Sequence, residues 1–262
     1  MVLLAAAAVV GFGSRGATAD TGSTPHQRDP KPSDCEVPAT TQECLDDVDV
    51  FEVSGLLDPI VATEIEHAID RAVADGSQAL ILQLNSKGAV VSRERMEQLA
   101  TKIADAEIPV AVWVGPSGAR GLGLSGQLIG VAASSGMAPG TRIGEFGDPL
   151  EVHGQPLAFG DATDDLRHGT LNHTDARTRG VLKLNTQDLG VPALRNMLLA
   201  LDGLDYKGHT LDTVIEVPAA NGTIEQQAAT PRFFKLGLLP RLFHTVASVP
   251  VAYLLFTIGG SG

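Results

Sequence analysis

The chain is poor in aromatic side chains, which make up only 4% of its 262 residues. It also lacks a stripe of basic residues, and its formal net charge of -12 predicts an acidic surface. Proteins that bind nucleic acids need cationic groups for the phosphates and, for single strands, aromatic rings on which bases stack. The composition therefore argues against nucleic acid as a partner.

Cysteine is almost absent as well, since Cys35 and Cys44 are the only two in the chain. Both lie in residues 20–47, which are rich in Thr, Pro, Asp and Ser and show no apolar periodicity, as is typical of a flexible linker. In an exported segment the two cysteines suit a small disulfide loop, and free thiols are the alternative. A metal site would need more ligands nearby, so the sequence predicts no metal and no cofactor.

Apolar runs mark both ends of the chain. Residues 1–13, followed by small residues at Ala17 and Ala19, are typical of a secretory signal within residues 1–19, and a short anchor is the alternative. Residues 246–258 are apolar and uncharged and predict the start of a transmembrane helix in a juxtamembrane segment, 231–262. A buried C-terminal helix is the alternative there. Together these segments predict membrane association, with the main domain outside the cytoplasm.

Strand-like and helix-like patterns alternate between these ends. Strand-like runs lie at Val48–Val53, Ala79–Leu84 and Val110–Val114, and amphipathic helical patterns lie at Pro59–Asp75 and Val91–Ala106. This alternation predicts an α/β domain with a parallel sheet. A further apolar stretch, Gly118–Ala133, predicts a helix that is buried on all sides.

The strand at Val110–Val114 leads into a glycine-rich turn, residues 115–126. Glycines after a buried strand let a ligand approach the backbone closely, and the N–H groups of such a turn can face an anion or an oxyanion. The turn is therefore the candidate site. Close packing of a helix against the sheet is the alternative explanation for its glycines.

Four ordered motifs resemble the extracytoplasmic domain of the NfeD family, whose members are membrane-bound relatives of ClpP and signal peptide peptidase. The motifs are Val53-Ser-Gly-Leu-Leu-Asp-Pro59, Ala79-Leu-Ile-Leu-Gln-Leu-Asn85, Pro116-Ser-Gly-Ala-Arg120 and Met137-Ala-Pro-Gly-Thr-Arg-Ile-Gly144. The resemblance runs from about Val48 to Gly262 and implies a ClpP/crotonase-like domain over residues 48–230. It also implies a membrane-bound serine protease fold that binds peptides or membrane-protein segments and forms a homo-oligomer.

The resemblance implies a serine nucleophile three residues after Arg120, but this chain has Gly123 at that position. The nearby serines, Ser125 and Ser117, are the remaining candidates. A serine hydroxyl needs a base to become a nucleophile, and the family uses a lysine for this purpose. No lysine lies between Lys102 and Lys183 in this chain.

Lys183 lies past the family's usual lysine position and is expected to be a surface charge. Lys87 follows a neighbouring strand and is the candidate base. The resemblance also implies oxyanion-hole-like backbone at Gly88, Gly123 and Leu124. The family's glycine pair has one member replaced by Ala89, whose Cβ makes a positive φ costly.

Two classes of function follow from these departures. The first is a non-catalytic, membrane-anchored protein with a ClpP-class serine-protease fold, which acts as a scaffold or adaptor in membrane protein quality control. The second is an active serine endopeptidase with an altered Ser/Lys centre. A further alternative is an unrelated acyl-binding or hydrolase use of the crotonase scaffold.

Overall fold

The computed structural model describes residues 48–184, 190–218 and 223–234. The signal-like segment, the linker with Cys35 and Cys44, and the apolar run at 246–258 lie outside these residues. None of the helices in the described ranges is long and apolar enough to cross a membrane.

Strands and helices alternate through the first part of the domain, and shorter strands follow. The strands are β1 (Val48–Leu57), β2 (Ala79–Ala89), β3 (Val110–Val114), β4 (Arg120–Leu122), β5 (Ser134–Met137), β6 (Arg142–Gly144), β7 (Glu151–Val152), β8 (Gln155–Pro156), β9 (Thr170–Asn172), β10 (Asp205–Tyr206), β11 (His209–Thr210), β12 (Val214–Pro218), β13 (Ile224–Ala228) and β14 (Pro231–Phe234). The helices are α1 (Pro59–Asp75), α2 (Arg93–Asp105), α3 (Gly123–Gly126), α4 (Leu128–Val131), α5 (Thr163–His168), α6 (His173–Thr178) and α7 (Leu194–Leu201).

The long strand β2 joins two parts of one sheet. Its first half pairs in parallel with β3, through Leu80–Leu84, and β3 pairs with β5. Beyond that point β2 pairs with β4 through Ser86 and Gly121, and β4 continues to β6 and β9. On its other side β2 pairs with β1, which pairs with β14. The sheet therefore branches at the carboxyl end of β2.

The two long helices begin where the sequence supplies capping side chains. Asp58 accepts a hydrogen bond from the backbone N–H of Val61 at 2.8 Å and starts α1, and Gly76 ends it with φ +72°. Ser92 accepts from the N–H of Arg95 at 3.2 Å and starts α2. These caps satisfy backbone groups that have no partner within the helix.

The sheet has an apolar core on each face, because successive side chains of a strand point to opposite sides. Leu82 of β2 packs in the core that contains Ile65 of α1 and Leu99 of α2. Its neighbour Ile81 packs in the other core, with Leu198 of α7. The alternation predicted from the sequence thus places helices on both faces of a largely parallel sheet.

The structure differs from the sequence prediction at Gly118–Ala133, where one buried helix was expected. Part of this stretch is the strand β4, and the rest is two short helices, α3 and α4. A Cβ on Gly126 would lie 2.2 Å from the carbonyl oxygen of Gly121, so the chain turns back on itself more tightly than a side chain permits. Close packing therefore accounts for Gly126.

Candidate functional site

The carboxyl ends of β2 and β4 bring Gly88 next to Gly123. A Cβ built on Gly123 would lie 3.4 Å from the Gly88 Cα and 3.9 Å from the carbonyl oxygen of Glu145. Both glycines have positive φ, +145° at Gly88 and +58° at Gly123, which side chains disfavour. We call Gly88, Gly123 and the backbone of Glu145 the glycine edge.

The glycine edge is accessible. Gly88, Gly123 and Leu124, the residues expected to be oxyanion-hole-like, are all half-buried, and Glu145 is exposed. Glu145 has a φ of +53°, and its N–H donates to the carbonyl of Gly169 at 2.9 Å. A non-glycine residue in this conformation is strained, and such strain is typical of functional sites.

Ser125, the first candidate nucleophile, is fully buried. Its Oγ lies 2.9 Å from the Oγ of Ser86 and 2.9 Å from the carbonyl oxygen of Leu122. The single proton of the Ser125 hydroxyl can be donated to either of these two oxygens. Neither of these hydrogen-bond partners is a base that could activate Ser125.

Ser86 connects Ser125 to the glycine edge. The Ser86 hydroxyl donates to the carbonyl oxygen of Gly88 at 2.8 Å, and its oxygen accepts from the Gly88 N–H at 3.3 Å. Because Ser86 is fully buried, it holds the Gly88 backbone from the inside of the domain. The serine pair therefore positions the backbone of the edge.

The other two candidates lie on the surface. Ser117 is exposed, and its Oγ would be 2.9 Å from a Cβ added to Gly140. Lys87 is exposed too, and within the described ranges its ammonium has no hydrogen-bond or ion-pair partner. Lys87 is the chain neighbour of Gly88, whereas the Ser125 hydroxyl is turned inward to Ser86. That Ser125 or Ser117 is a nucleophile with Lys87 as its base stays a prediction.

Lys183, expected as a surface charge, has a more specific contact. The residue as a whole is exposed, yet its Nζ donates to the carbonyl oxygens of Gly130 at 3.0 Å and Ala132 at 2.5 Å. These carbonyls lie at the carboxyl end of α4, where a cation is stabilised by the helix dipole. Partial burial lowers the pKa of the Lys183 ammonium below its ordinary value. The ammonium therefore caps a helix.

A surface cavity of about 560 Å³ lies between α5 and β9, next to Glu145, whose N–H donates to the Gly169 carbonyl. It is lined by Asp164, Asp165, His168, Gly169, Thr170, Leu171 and Arg179. The Asp165 carboxylate is paired with the Arg179 guanidinium at 2.7 Å. Neither glycine of the glycine edge lines this cavity, and the described residues contain no group of His, Cys, Asp or Glu able to hold a metal.

Sequence reasoning missed two residues of this site, Ser86 and Glu145. The sequence signal for Glu145 was its position between two glycines, Gly144 and Gly147. In the structure both of these glycines have positive φ. Ser86 gave no signal of its own, because its role depends on a hydroxyl contact with Ser125, 39 residues away.

The structure is similar to solved structures of a membrane-bound stomatin-specific protease, 1510-N. One is a lysine-to-alanine mutant in complex with a substrate peptide; its TM-score is 0.58 at 18% identity, covering 78% of this chain and 99% of that chain. A serine-to-alanine mutant gives a TM-score of 0.55 at 18% identity, covering 74% and 99%. The protease specific for a stomatin homolog from Pyrococcus horikoshii gives 0.54 at 18% identity, covering 77% and 98%.

No protein-family model matches the chain, and no curated protein matches it in sequence. At 18% identity the structural likeness shows the fold. The chain thus has a mixed α/β fold with a curled, largely parallel sheet, similar to that of the 1510-N structures, and at the level of the fold the resemblance drawn from the four sequence motifs is confirmed.

Proposed function

We propose that this protein is a membrane-anchored, extracytoplasmic relative of the NfeD proteases that binds extended peptide segments without hydrolysing them. In this role it acts as a scaffold or adaptor in membrane protein quality control, as a homo-oligomer. The observation that carries the proposal is the glycine edge itself, where the resemblance expects a nucleophile and the chain has Gly123, a residue without a side chain.

The surroundings of Gly123 support a non-catalytic role. Acyl transfer by serine requires a base within about 3 Å of the hydroxyl proton. The hydroxyl of Ser125 is buried against Ser86 and Leu122, and the ammonium of Lys183 is bonded to carbonyls of α4. Neither group supplies the nucleophile and base that hydrolysis needs.

The rim of the glycine edge supports peptide binding. Two apolar side chains are exposed at the carboxyl ends of β1 and β2, Leu56 by 47% and Val90 by 59%. The N–H of Val90 donates to the carbonyl of Leu57 at 2.8 Å, so the two side chains belong to one paired end of the sheet. The 1510-N mutant was solved with a substrate peptide. An apolar rim beside accessible backbone groups suits an extended, apolar peptide.

Labelling with a fluorophosphonate serine probe tests the absence of hydrolysis. The purified full chain is compared with Ser125→Ala and Ser117→Ala, and any labelled peptide is mapped. We expect no labelling of the folded protein. Labelling that one of these substitutions removes would establish an activated serine and support the altered Ser/Lys endopeptidase instead.

Fluorescence anisotropy with a fluorescein-labelled peptide of alternating leucine and valine tests peptide binding. Val90→Ser should weaken binding about fivefold, because burial of a valine side chain contributes about 1 kcal/mol or more. Ile224→Ser is the matched control, since Ile224 is 67% exposed on β13. Equal effects of the two substitutions, or no binding at all, would overturn the proposed peptide site.

A further inference from the structure

Two arginines are direct register partners on neighbouring strands near the glycine edge. Arg120 of β4 pairs with Arg142 of β6 in the parallel ladder, and both residues are exposed. The next pair in this ladder, Gly121 and Ile143, is buried. Because side chains alternate between the faces of a sheet, the two arginines share the face opposite to that buried pair.

Lys87 extends this arrangement to a third strand. Its neighbour Ser86 is buried and pairs with Gly121, so the exposed Lys87 side chain lies on the same face as Arg120 and Arg142. We call Lys87, Arg120 and Arg142 the cationic face. It crosses the adjacent strands β2, β4 and β6, in a chain whose formal net charge is -12.

Like charges directly opposite one another on a sheet destabilise it. Arg142 donates to the hydroxyl of Thr170 at 3.3 Å, a neutral group. In the part of the chain that the structure describes, no carboxylate forms an ion pair with Arg120, Arg142 or Lys87. A bound anion would relieve the repulsion between the two guanidinium groups and provide the missing acceptors.

The cationic face borders the glycine edge on three strands. Lys87 precedes Gly88, Arg120 lies three residues before Gly123, and Arg142 lies three residues before Glu145. The backbone of Glu145, which belongs to the glycine edge, follows the end of β6 at Gly144. Its side chain is the one carboxylate among the three residues that form the edge. A peptide lying along the edge would therefore pass the apolar side chains of Leu56 and Val90 and the cations of β2, β4 and β6.

We propose that the cationic face selects peptides that carry carboxylates next to their apolar stretch. The inference rests on the proposed peptide-binding function and names the class of its ligand. Arg120 and Arg142 bind aspartate or glutamate side chains through paired N–H groups, and Lys87 adds a point charge beside Gly88. Such pairing discriminates by charge as well as by apolar contact.

Two fluorescein-labelled peptides test the proposal by anisotropy with the full chain. Both have the same alternating leucine–valine stretch; one ends in a run of glutamates, and the other has glutamine at each of those positions. We expect the glutamate peptide to bind about tenfold more tightly, and this difference to shrink as salt screens the charges. The double variant R120Q/R142Q should lose most of this preference, and the remainder is what Lys87 contributes.

Lys102→Gln is the matched control, because Lys102 is an exposed cation on α2, which packs in the core on the other face of the sheet. It should leave the difference between the peptides unchanged. Equal binding of the two peptides by the wild type would overturn the cationic face and leave the peptide site in place. If Lys102→Gln loses the preference for the glutamate peptide as R120Q/R142Q does, the preference depends on the net charge of the protein. That result would also overturn the proposal. Failure of both peptides to bind would instead overturn the proposed function.

Discussion

Gly123 faces Gly88 so closely that a Cβ added to Gly123 would lie 3.4 Å from the Gly88 Cα. A distance of this size is ordinary van der Waals contact, so there is room for a small side chain. The conformation is less permissive, because φ at Gly123 is +58°. Gly123 therefore combines a close approach to the Gly88 backbone with a backbone conformation that favours glycine.

Gly123→Ser should fold but remain unreactive. A serine at positive φ lowers the free energy of unfolding by about 1 kcal/mol, and no base lies among the hydrogen-bond partners described at this site. Thermal unfolding measures the first effect and fluorophosphonate labelling the second. Gly118→Ser is the matched control, since Gly118 has φ +86° with open space around its Cβ. Strong labelling of Gly123→Ser alone would show that a base is within reach.

Ser125→Ala should reduce stability, because it removes the hydroxyl that bonds to Ser86 and Leu122. Loss of a buried hydrogen bond costs about 1 to 2 kcal/mol. Denaturant unfolding gives this value, and Ser117→Ala, at an exposed position, should change it by less than about 0.5 kcal/mol. A loss in Ser117→Ala as large as that in Ser125→Ala would contradict a structural role specific to Ser125.

Lys183 should make stability depend on alkaline pH. Burial lowers the pKa of this ammonium in the folded state, so the unfolded chain keeps its proton up to about the ordinary value of 10.5. Between the lowered pKa and 10.5 the unfolded state binds more protons, and stability contributed by this group rises with pH. Unfolding of the wild type is compared with Lys183→Met across this window.

As pH rises through this window, the free energy of unfolding of the wild type should increase relative to that of Lys183→Met. Lys87→Met, which removes an exposed ammonium, controls for the loss of a charge. A constant difference for Lys183→Met across the alkaline range would show that its ammonium is not affected by burial.

Arg232 should be the most sensitive position of the edge strand β14. Its guanidinium pairs with the fully buried Asp49 at 2.7 Å, and Asp49 also accepts from the Ser77 hydroxyl at 2.6 Å. Arg232→Met leaves a buried charge without its cation and should cost about 3 kcal/mol or more. Denaturant unfolding measures the loss.

Asp75→Asn provides the comparison for Arg232→Met. Asp75 also contacts the Arg232 guanidinium, at 3.0 Å, but its side chain is 28% exposed and the pair with Asp49 survives the substitution. Asp75→Asn should therefore lower the free energy of unfolding by less than about 1 kcal/mol. A similar loss in both variants would mean that the buried pair contributes no more than the exposed one.

Local patterns predicted the regular elements closely. The helix at Pro59–Asp75 and the strand at Val110–Val114 have the predicted bounds, because apolar periodicity and capping residues act over a few neighbouring positions. The prediction failed at Gly118–Ala133 for the opposite reason. The strand β4 in that stretch exists because its Gly121 pairs with Ser86 and Ile143, which are far apart in the sequence.

The sequence by itself determined the main elements and two features of the candidate site: a glycine three residues after Arg120, and no lysine between Lys102 and Lys183. Only the tertiary structure decided that Gly88 meets Gly123, that Ser125 turns inward to Ser86, and that cations line up across three strands. These relationships depend on the register of strands from distant parts of the chain. That register is set by burying one face of each strand, and a shift of one residue would reverse every side chain.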